Sequence, residues 1–144
     1  MRPSTSAILA VGLLSAVWGV PSAIASPQID RPQSYPSAQA LADELNRHGH
    51  WCETRPTPDE VNDWAVDVLN GACAGVYVGL YIYGTPAARD ANISIVVENL
   101  RKDGMQGVFL VGSNWAVNCY DQAMACVGMR EDMGGTVVTA RPAY

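Results

Sequence analysis

The amino-terminal segment decides which part of this chain has to fold and in which compartment. One basic residue, Arg2, precedes an apolar run from Ala7 to Val20, and the small residues of Ser22 to Ala25 follow. This order of charged, apolar and small residues is typical of a secretory signal peptide, with cleavage expected after Ala25. The apolar run has about 14 residues, whereas a membrane-spanning helix needs about 20. We therefore expect residues 1–25 to be removed and the remainder to be secreted.

Removal of the signal peptide leaves 119 of the 144 residues, a size typical of one domain with one hydrophobic core. The mature part keeps 8 basic and 14 acidic residues, so its net charge is −6. An acidic domain repels phosphate backbones and anionic lipid head groups. Nucleic acid is therefore not an expected partner. No cysteine ends the apolar run, so no lipid anchor is expected after cleavage.

Composition divides the chain into three segments. Residues 1–25 are the signal peptide, and residues 26–36, rich in Ser, Pro and Gln, are expected to be a disordered leader because they offer little to bury. Residues 37–144 are expected to form a single α+β domain.

All four cysteines lie in this domain, at positions 52, 73, 119 and 126. An even number of cysteines in an exported chain favours two disulfides. Three connectivities are possible, and pairing neighbours, Cys52 with Cys73 and Cys119 with Cys126, closes the shortest loops. Free thiols or a zinc site are the alternative, but no Cys-x-x-Cys pair is present.

Local patterns predict the elements before residue 74. Apolar spacing predicts a helix from Ser37 to His48, and His50 to Thr54 suits an edge strand. A capping box with proline at the first helical position, Thr57 to Glu60, predicts a second helix that continues to Leu69 and stops at Gly71.

From Ala74 onward the predicted order is strand, helix, strand, strand, helix, strand. These elements are Ala74–Tyr83, Thr85–Lys102, Gly107–Val111, Trp115–Cys119, Asp121–Met133 and Thr136–Ala140. The order is that of the ferredoxin-like split βαβ fold (βαββαβ), here with an N-terminal helix-strand-helix extension. A mixed sheet with another strand order is the alternative. The ferredoxin-like order would bring Cys73 close to Cys119, which competes with the neighbour pairing.

Two short motifs resemble those of a known group of proteins: Gly112-Ser113-Asn114-Trp115 and the later Gly134-Gly135-Thr136. The chain resembles small exported actinobacterial proteins of unknown function, which combine a Gly-x-Asn-Trp hairpin, a following helix and a Gly-Gly strand. The helix that leads to a cysteine, Ser37 to Cys52, is also similar to their mature N-terminal part. Cys126 has no counterpart in that pattern. The resemblance implies a bacterial exported domain and implies no activity.

The predicted strand Ala74–Tyr83 has one apolar face and one face with Tyr77, Gly79, Tyr81 and Tyr83. A ferredoxin-like sheet has helices on one face only, so these tyrosines would form a stacking platform with a gap at Gly79. The alternative is that the N-terminal extension, including Trp64, covers the row. At the predicted hairpin tip, Asn114 and Trp115 are further binding candidates, although Trp115 could instead fill the core.

Candidate chemistry is sparse elsewhere. His48, His50 and Cys52 bring together nitrogen and sulfur donors that suit copper or zinc. In the alternative interpretation, His48 is a cation at the helix C-terminus, His50 is exposed and Cys52 is in a disulfide. No serine stands in a Gly-x-Ser-x-Gly elbow, and no cofactor is indicated. The sequence favours a secreted, non-enzymatic domain that binds a protein, peptide or envelope component. A small secreted enzyme and a metal-binding protein using the two histidines are the alternatives.

Overall fold

The structure of the protein is a computed structural model that describes residues 33–61 and 63–142. The expected signal peptide, residues 1–25, and the first part of the expected leader, residues 26–32, lie outside the described residues.

Three α-helices and six β-strands make up the described part of the chain. The helices are α1 (Ala38–Arg47), α2 (Pro86–Lys102) and α3 (Ala123–Met133). The strands are β1 (Cys52–Pro56), β2 (Ala65–Cys73), β3 (Val76–Tyr83), β4 (Gly107–Val111), β5 (Trp115–Asn118) and β6 (Thr136–Ala140). The side chains of Ser37 and Thr85 cap α1 and α2, each accepting a backbone N–H at 3.0 Å.

All six strands form one antiparallel sheet in the order β1-β2-β3-β5-β4-β6. The prediction of an α+β domain is confirmed, but the strand order differs from the ferredoxin-like one. β5 lies between β3 and β4, as a split βαβ unit requires, whereas β6 pairs with β4 at the outer edge. A ferredoxin-like sheet would place β6 beside β3, and here β2 holds that position.

The prediction of a helix from Thr57 to Leu69 is wrong. The capping signal produces only a 3₁₀ turn, Pro58–Glu60, and the chain then enters β2. Val68 and Leu69 face opposite sides of the sheet, and both are buried because helices cover both sides. A register shift near Ala65 further disturbs the period-two pattern. The resulting apolar spacing imitates a helix, so the sequence pattern was misleading.

The molecule has three layers. α1 and α3 pack on one face of the sheet, against Leu80, Leu110 and Trp115. α2 packs on the other face, which also carries the tyrosines of β3. The expectation of a helix-free second face is therefore wrong, and the N-terminal helix does not cover the tyrosine row. α2 covers part of that face, and Trp64 of the N-terminal extension packs against the same cluster.

The neighbour pairing of cysteines is confirmed. Cys52 and Cys73 stand directly opposite each other on β1 and β2, with Cα atoms 4.0 Å apart. Cys119 and Cys126 connect the end of β5 to the first turns of α3, with Cα atoms 6.0 Å apart. Both disulfides lie at the same end of the sheet, because Cys73 ends β2 and Cys119 follows the strand that runs antiparallel to β3.

The described part of the leader, residues 33–36, is packed against the domain. Tyr35 is buried and belongs to the core between the sheet and α1. The packed domain therefore extends at least to Gln33, earlier than the boundary at Ser37 that composition favoured. Within residues 33–61 and 63–142, no helix combines the length and the apolarity that crossing a bilayer requires.

Candidate functional site

The three predicted tyrosines of β3 differ in exposure. Tyr77 is 59% exposed, Tyr81 is half-buried and Tyr83 is buried. The Tyr83 hydroxyl donates to Oδ1 of Asn92 on α2 at 2.9 Å. Only Tyr77 and Tyr81 therefore reach a surface at which a ligand could bind.

The hairpin tip is occupied by the chain's own N-terminal segment. The side-chain amide of Asn114 accepts from the backbone N–H of Tyr35 at 2.9 Å and donates to its carbonyl at 2.7 Å. The indole N–H of Trp115 donates to the carbonyl of Gln33 at 2.7 Å, and the indole itself is buried. The Tyr35 and Trp115 rings meet edge to face, with centroids 5.9 Å apart. Asn114 and Trp115 thus have internal partners.

A third tyrosine, Tyr120, joins Tyr77 at the open surface, and sequence reasoning missed it. β5 runs antiparallel to β3 with Asn118 opposite Gly79, so the residues after β5 come alongside Tyr77. The Tyr77 and Tyr120 rings have centroids 5.4 Å apart and planes inclined at 39°. The predicted pairing of these two strands could have identified Tyr120, because it places Tyr120 next to Tyr77 as it places Cys119 near Cys73.

The backbone of Tyr120 has a φ of +53°, in the left-handed region that side chains rarely adopt. Residues in this region persist where the surrounding structure holds them, and they concentrate at functional sites. Here the Cys119–Cys126 disulfide closes a short loop around Tyr120, and the backbone N–H of Tyr120 donates to Oδ1 of Asn118 at 2.9 Å. The ring is therefore presented on a restrained turn.

We use the name tyrosine face for Tyr77, Tyr81 and Tyr120 together with Glu60 and Asn70. The Tyr81 hydroxyl donates to Oε2 of Glu60 at 3.1 Å. The pKa of Tyr81 is raised well above its usual value, mainly because the hydroxyl is buried and also because Tyr120 and Glu60 lie nearby. The pKa of Tyr120 is also raised, mainly because its hydroxyl is buried and also because Tyr77 lies nearby. Both hydroxyls therefore stay protonated beyond the pH at which an exposed tyrosine ionises, and the Tyr81 hydroxyl, whose hydrogen is donated to Glu60, can accept a hydrogen bond from a ligand.

Asn70 and Gly79 form the floor beneath Tyr81. The Asn70 side chain donates to Oγ1 of Thr57 at 2.9 Å, whereas its Oδ1 has no hydrogen-bond partner among the described residues. A Cβ at position 79 would lie 2.7 Å from Cε2 of Tyr81 and 2.8 Å from this oxygen. The expected gap at Gly79 is thus filled by the Tyr81 ring. Asn70 is only 6% exposed, and an unpaired buried acceptor costs about 1–3 kcal/mol.

Two grooves with both polar and apolar walls adjoin the exposed rings. The larger has a volume of about 660 Å³ and runs between β1 and Tyr77, over Asn70, with Glu53, Arg55 and Glu60 on its walls. The smaller, of about 450 Å³, lies between the two rings and the turn at Asp121 and Gln122. A third, largely apolar groove of about 520 Å³ separates Tyr120 from the end of α2. The Tyr77–Tyr120 pair is thus bordered by open space on both sides.

The histidines lie beside α1 and α3, across the sheet from the tyrosine face. Nε2 of His50 is 2.8 Å from Oδ2 of Asp132, and Nε2 of His48 is 3.3 Å from Oε1 of Glu44. Cys52, the third candidate ligand, is in a disulfide. No group of three or more His, Cys, Asp or Glu side chains in residues 33–61 and 63–142 is arranged to hold a metal ion. The His50–Asp132 contact ties the segment after α1 to α3.

No protein-family model matches the chain, and neither a curated protein nor a solved structure matches it significantly.

Proposed function

We propose that the protein is an exported, non-enzymatic binding domain that recognises its ligand through the tyrosine face. The observation that carries the proposal is the Tyr77–Tyr120 pair, two aromatic rings left exposed between open grooves on a rigid, twice disulfide-bonded scaffold. Exposed tyrosines on a rigid support provide contact area with little loss of side-chain entropy on binding.

Two features support export. The N-terminal sequence has the order of a signal peptide, and two disulfides are compatible with a small domain that folds outside the reducing cytoplasm. Production of the full chain in a bacterial host tests this part. We expect the protein in the culture medium to begin at Ser26 and to contain both disulfides by peptide mapping. A cell-retained protein that keeps its first 25 residues would contradict it.

A binding role fits the tyrosine face better than catalysis does. Both histidines are engaged by carboxylates on the opposite side of the sheet, so the face has no imidazole to act as a base. Both cysteines nearest to Tyr120 are bonded to each other, which removes a thiol nucleophile.

Photo-crosslinking tests the proposed surface without assuming a ligand class. A photoreactive phenylalanine analogue replaces Tyr77 in one version of the exported protein and Val66 in a control. Val66 is 54% exposed, close to the 59% of Tyr77, and lies towards the opposite end of the sheet. Irradiation of cultures of the source organism should produce adducts at position 77 and none at position 66. Equal labelling at the two positions, or no adduct at either, would overturn the proposal.

A further inference from the structure

We propose that the ligand of the tyrosine face is a neutral polysaccharide segment that lies across the Tyr77–Tyr120 pair and into the groove over Asn70. This inference rests on the proposed function and names the class of ligand. The alternatives, a protein or peptide ligand and an anionic polymer, are distinguished by the experiment below.

The aromatic pair suits the apolar side of a sugar ring. Tyr77 is 59% exposed and Tyr120 is 37% exposed, and their planes are inclined at 39° rather than parallel. The rings therefore present a shallow angled surface instead of a closed slot. The C–H groups on one side of a pyranose ring can pack on such a surface, as apolar groups pack on aromatic faces elsewhere.

The groove beside the rings suits the hydroxyls at the sugar's periphery. Its walls hold acceptors at Glu53 and Glu60 and a donor at Arg55. Its floor holds Asn70. A sugar hydroxyl both donates and accepts hydrogen bonds, so a polyhydroxylated ligand can satisfy both the acceptors and the donor on the groove walls.

Charge disfavours the anionic polymers. The mature chain has a net charge of −6, and the groove walls carry two carboxylates against one guanidinium. A polymer of uronate, sulfate or phosphate units would be repelled by this arrangement. A neutral polymer pays no such penalty.

The structure favours a sugar chain over an extended peptide. Peptides that bind sheets commonly add a strand to an exposed edge. The edge nearest the tyrosine face is β1, which has only five residues and ends at Pro56, a residue without a backbone N–H. Short edges that contain proline resist strand addition. The grooves lie on the face of the sheet instead, and they extend on both sides of the ring pair.

Affinity measurements with defined polymers test the inference. The secreted protein, beginning at Ser26, is incubated with insoluble chitin, cellulose and mannan, and with alginate gel as an anionic control. Soluble fragments of any retained polymer are then titrated by calorimetry. We expect retention on at least one neutral polymer, none on alginate, and an affinity that increases with fragment length up to the extent of the groove.

Matched variants assign the binding to the tyrosine face. Tyr77→Ala and Tyr120→Ala should each weaken binding about tenfold or more, whereas Tyr77→Phe, which keeps the ring, should bind within about threefold of the parent. Val66→Ala removes a comparably exposed side chain towards the far end of the sheet and should have no effect. Far-ultraviolet circular dichroism confirms that each variant is folded.

Three results would overturn the inference. They are binding to none of the neutral polymers, stronger binding to alginate, and unchanged binding in both alanine variants. If chitin, cellulose and mannan all fail while photo-crosslinking at position 77 yields a protein or peptide adduct, the polysaccharide inference is wrong and the proposed function stands. If the polymers fail and no adduct forms, both are wrong.

Discussion

At the scale of single residues, the packing of the tyrosine face requires a glycine at position 79. Tyr81 folds back over Gly79, and the space that a Cβ would need is taken by the Tyr81 ring and by Oδ1 of Asn70. Gly112 has the same relation to Trp115, whose indole lies where its Cβ would be. Glycine is required at both positions because a large aromatic ring packs directly on the backbone.

Gly79→Ala should destabilise the protein by about 1–3 kcal/mol, because the added methyl group overpacks this contact and displaces Tyr81. Gly128→Ala is the matched control, since Gly128 lies within α3 and its Cβ would meet nothing within 4 Å. Alanine in a helix interior is favoured over glycine by about 0.5–1 kcal/mol, so this control should be neutral or stabilising. Urea unfolding measures both changes. Equal effects at the two positions would contradict the packing at Gly79.

Alkaline pH should destabilise the protein through the buried tyrosines. Burial raises the pKa of Tyr81 and of Tyr83 above the usual value of 10.0, and in Tyr83 the nearby Arg89 opposes part of this effect. The unfolded chain therefore ionises first. The stabilisation from each hydroxyl is complete below about pH 10 and is lost as the pH rises above it, by up to about 1.4 kcal/mol per pH unit and group.

Urea unfolding between about pH 9 and pH 12 checks this dependence. Tyr81→Phe keeps the ring over Gly79 but removes the titrating hydroxyl, so its unfolding free energy should decline less steeply than that of the parent. The unfolding free energy of Tyr83→Phe should also decline less steeply with pH. At every pH it should be lower by about 1 kcal/mol, because the hydrogen bond to Asn92 is lost. Parallel pH profiles of the parent and both variants would show that neither hydroxyl is the cause.

At the scale of structural elements, the N-terminal segment acts as a clip on the β4–β5 hairpin. Tyr35 contributes a buried ring and two backbone hydrogen bonds to Asn114, and Gln33 accepts the indole N–H of Trp115. The hairpin tip that sequence reasoning offered as a binding surface is therefore a docking surface for the chain itself. This arrangement also explains why Asn and Trp stand next to each other there.

A chain that begins at Ser37 should be less stable by about 3–5 kcal/mol than one that begins at Ser26, since it loses a buried aromatic ring and leaves Asn114 and Trp115 without partners. A chain that begins at Gln33 keeps every contact named here and should match the longer one. Denaturant unfolding of the three chains separates the cases. If the chain from Ser37 is as stable as the chain from Gln33, the clip contributes nothing.

At the scale of the whole molecule, the two disulfides fasten one end of the sheet, where the tyrosine face lies. The Cys52–Cys73 bond joins β1 to β2, and the Cys119–Cys126 bond joins the end of β5 to α3. The chain-entropy model assigns about 3.4 kcal/mol to a separation of 21 residues and about 2.5 kcal/mol to a separation of 7. Their sum is a large share of the 5–15 kcal/mol typical of a domain.

Paired alanine variants should reproduce this order of effects. Replacing Cys52 and Cys73 should cost slightly more stability than replacing Cys119 and Cys126, whereas only the second variant should release Tyr120 from its turn. Urea unfolding measures the first effect, and hydrogen exchange of the amides at positions 119–122 measures the second. Faster exchange at those positions in the Cys52/Cys73 variant alone would contradict the assignment of the turn to the Cys119–Cys126 bond.

The sequence alone determined the features that short stretches of chain encode. The apolar spacing from Ser37 to His48 predicted α1, and the threonine and proline at positions 85 and 86 predicted the start of α2. The alternation in β3 correctly assigned its core and tyrosine faces, and loop length favoured the observed cysteine pairs. These signals are local, because periodicity, capping and loop closure depend on residues close in sequence. They also identified two of the three tyrosines of the candidate site.

Tertiary structure decided what depends on neighbours distant in sequence. β2 is a strand rather than a helix because it pairs along its length with both β1 and β3, and β6 pairs with β4 rather than β3. The alternation of residues along β3 likewise did not predict which tyrosines are exposed. α2 buries Tyr83 and leaves Tyr77 open, and strand pairing brings Tyr120 to it across the sheet. A local pattern states which residues share a face, but only long-range packing determines which part of that face remains open to a ligand.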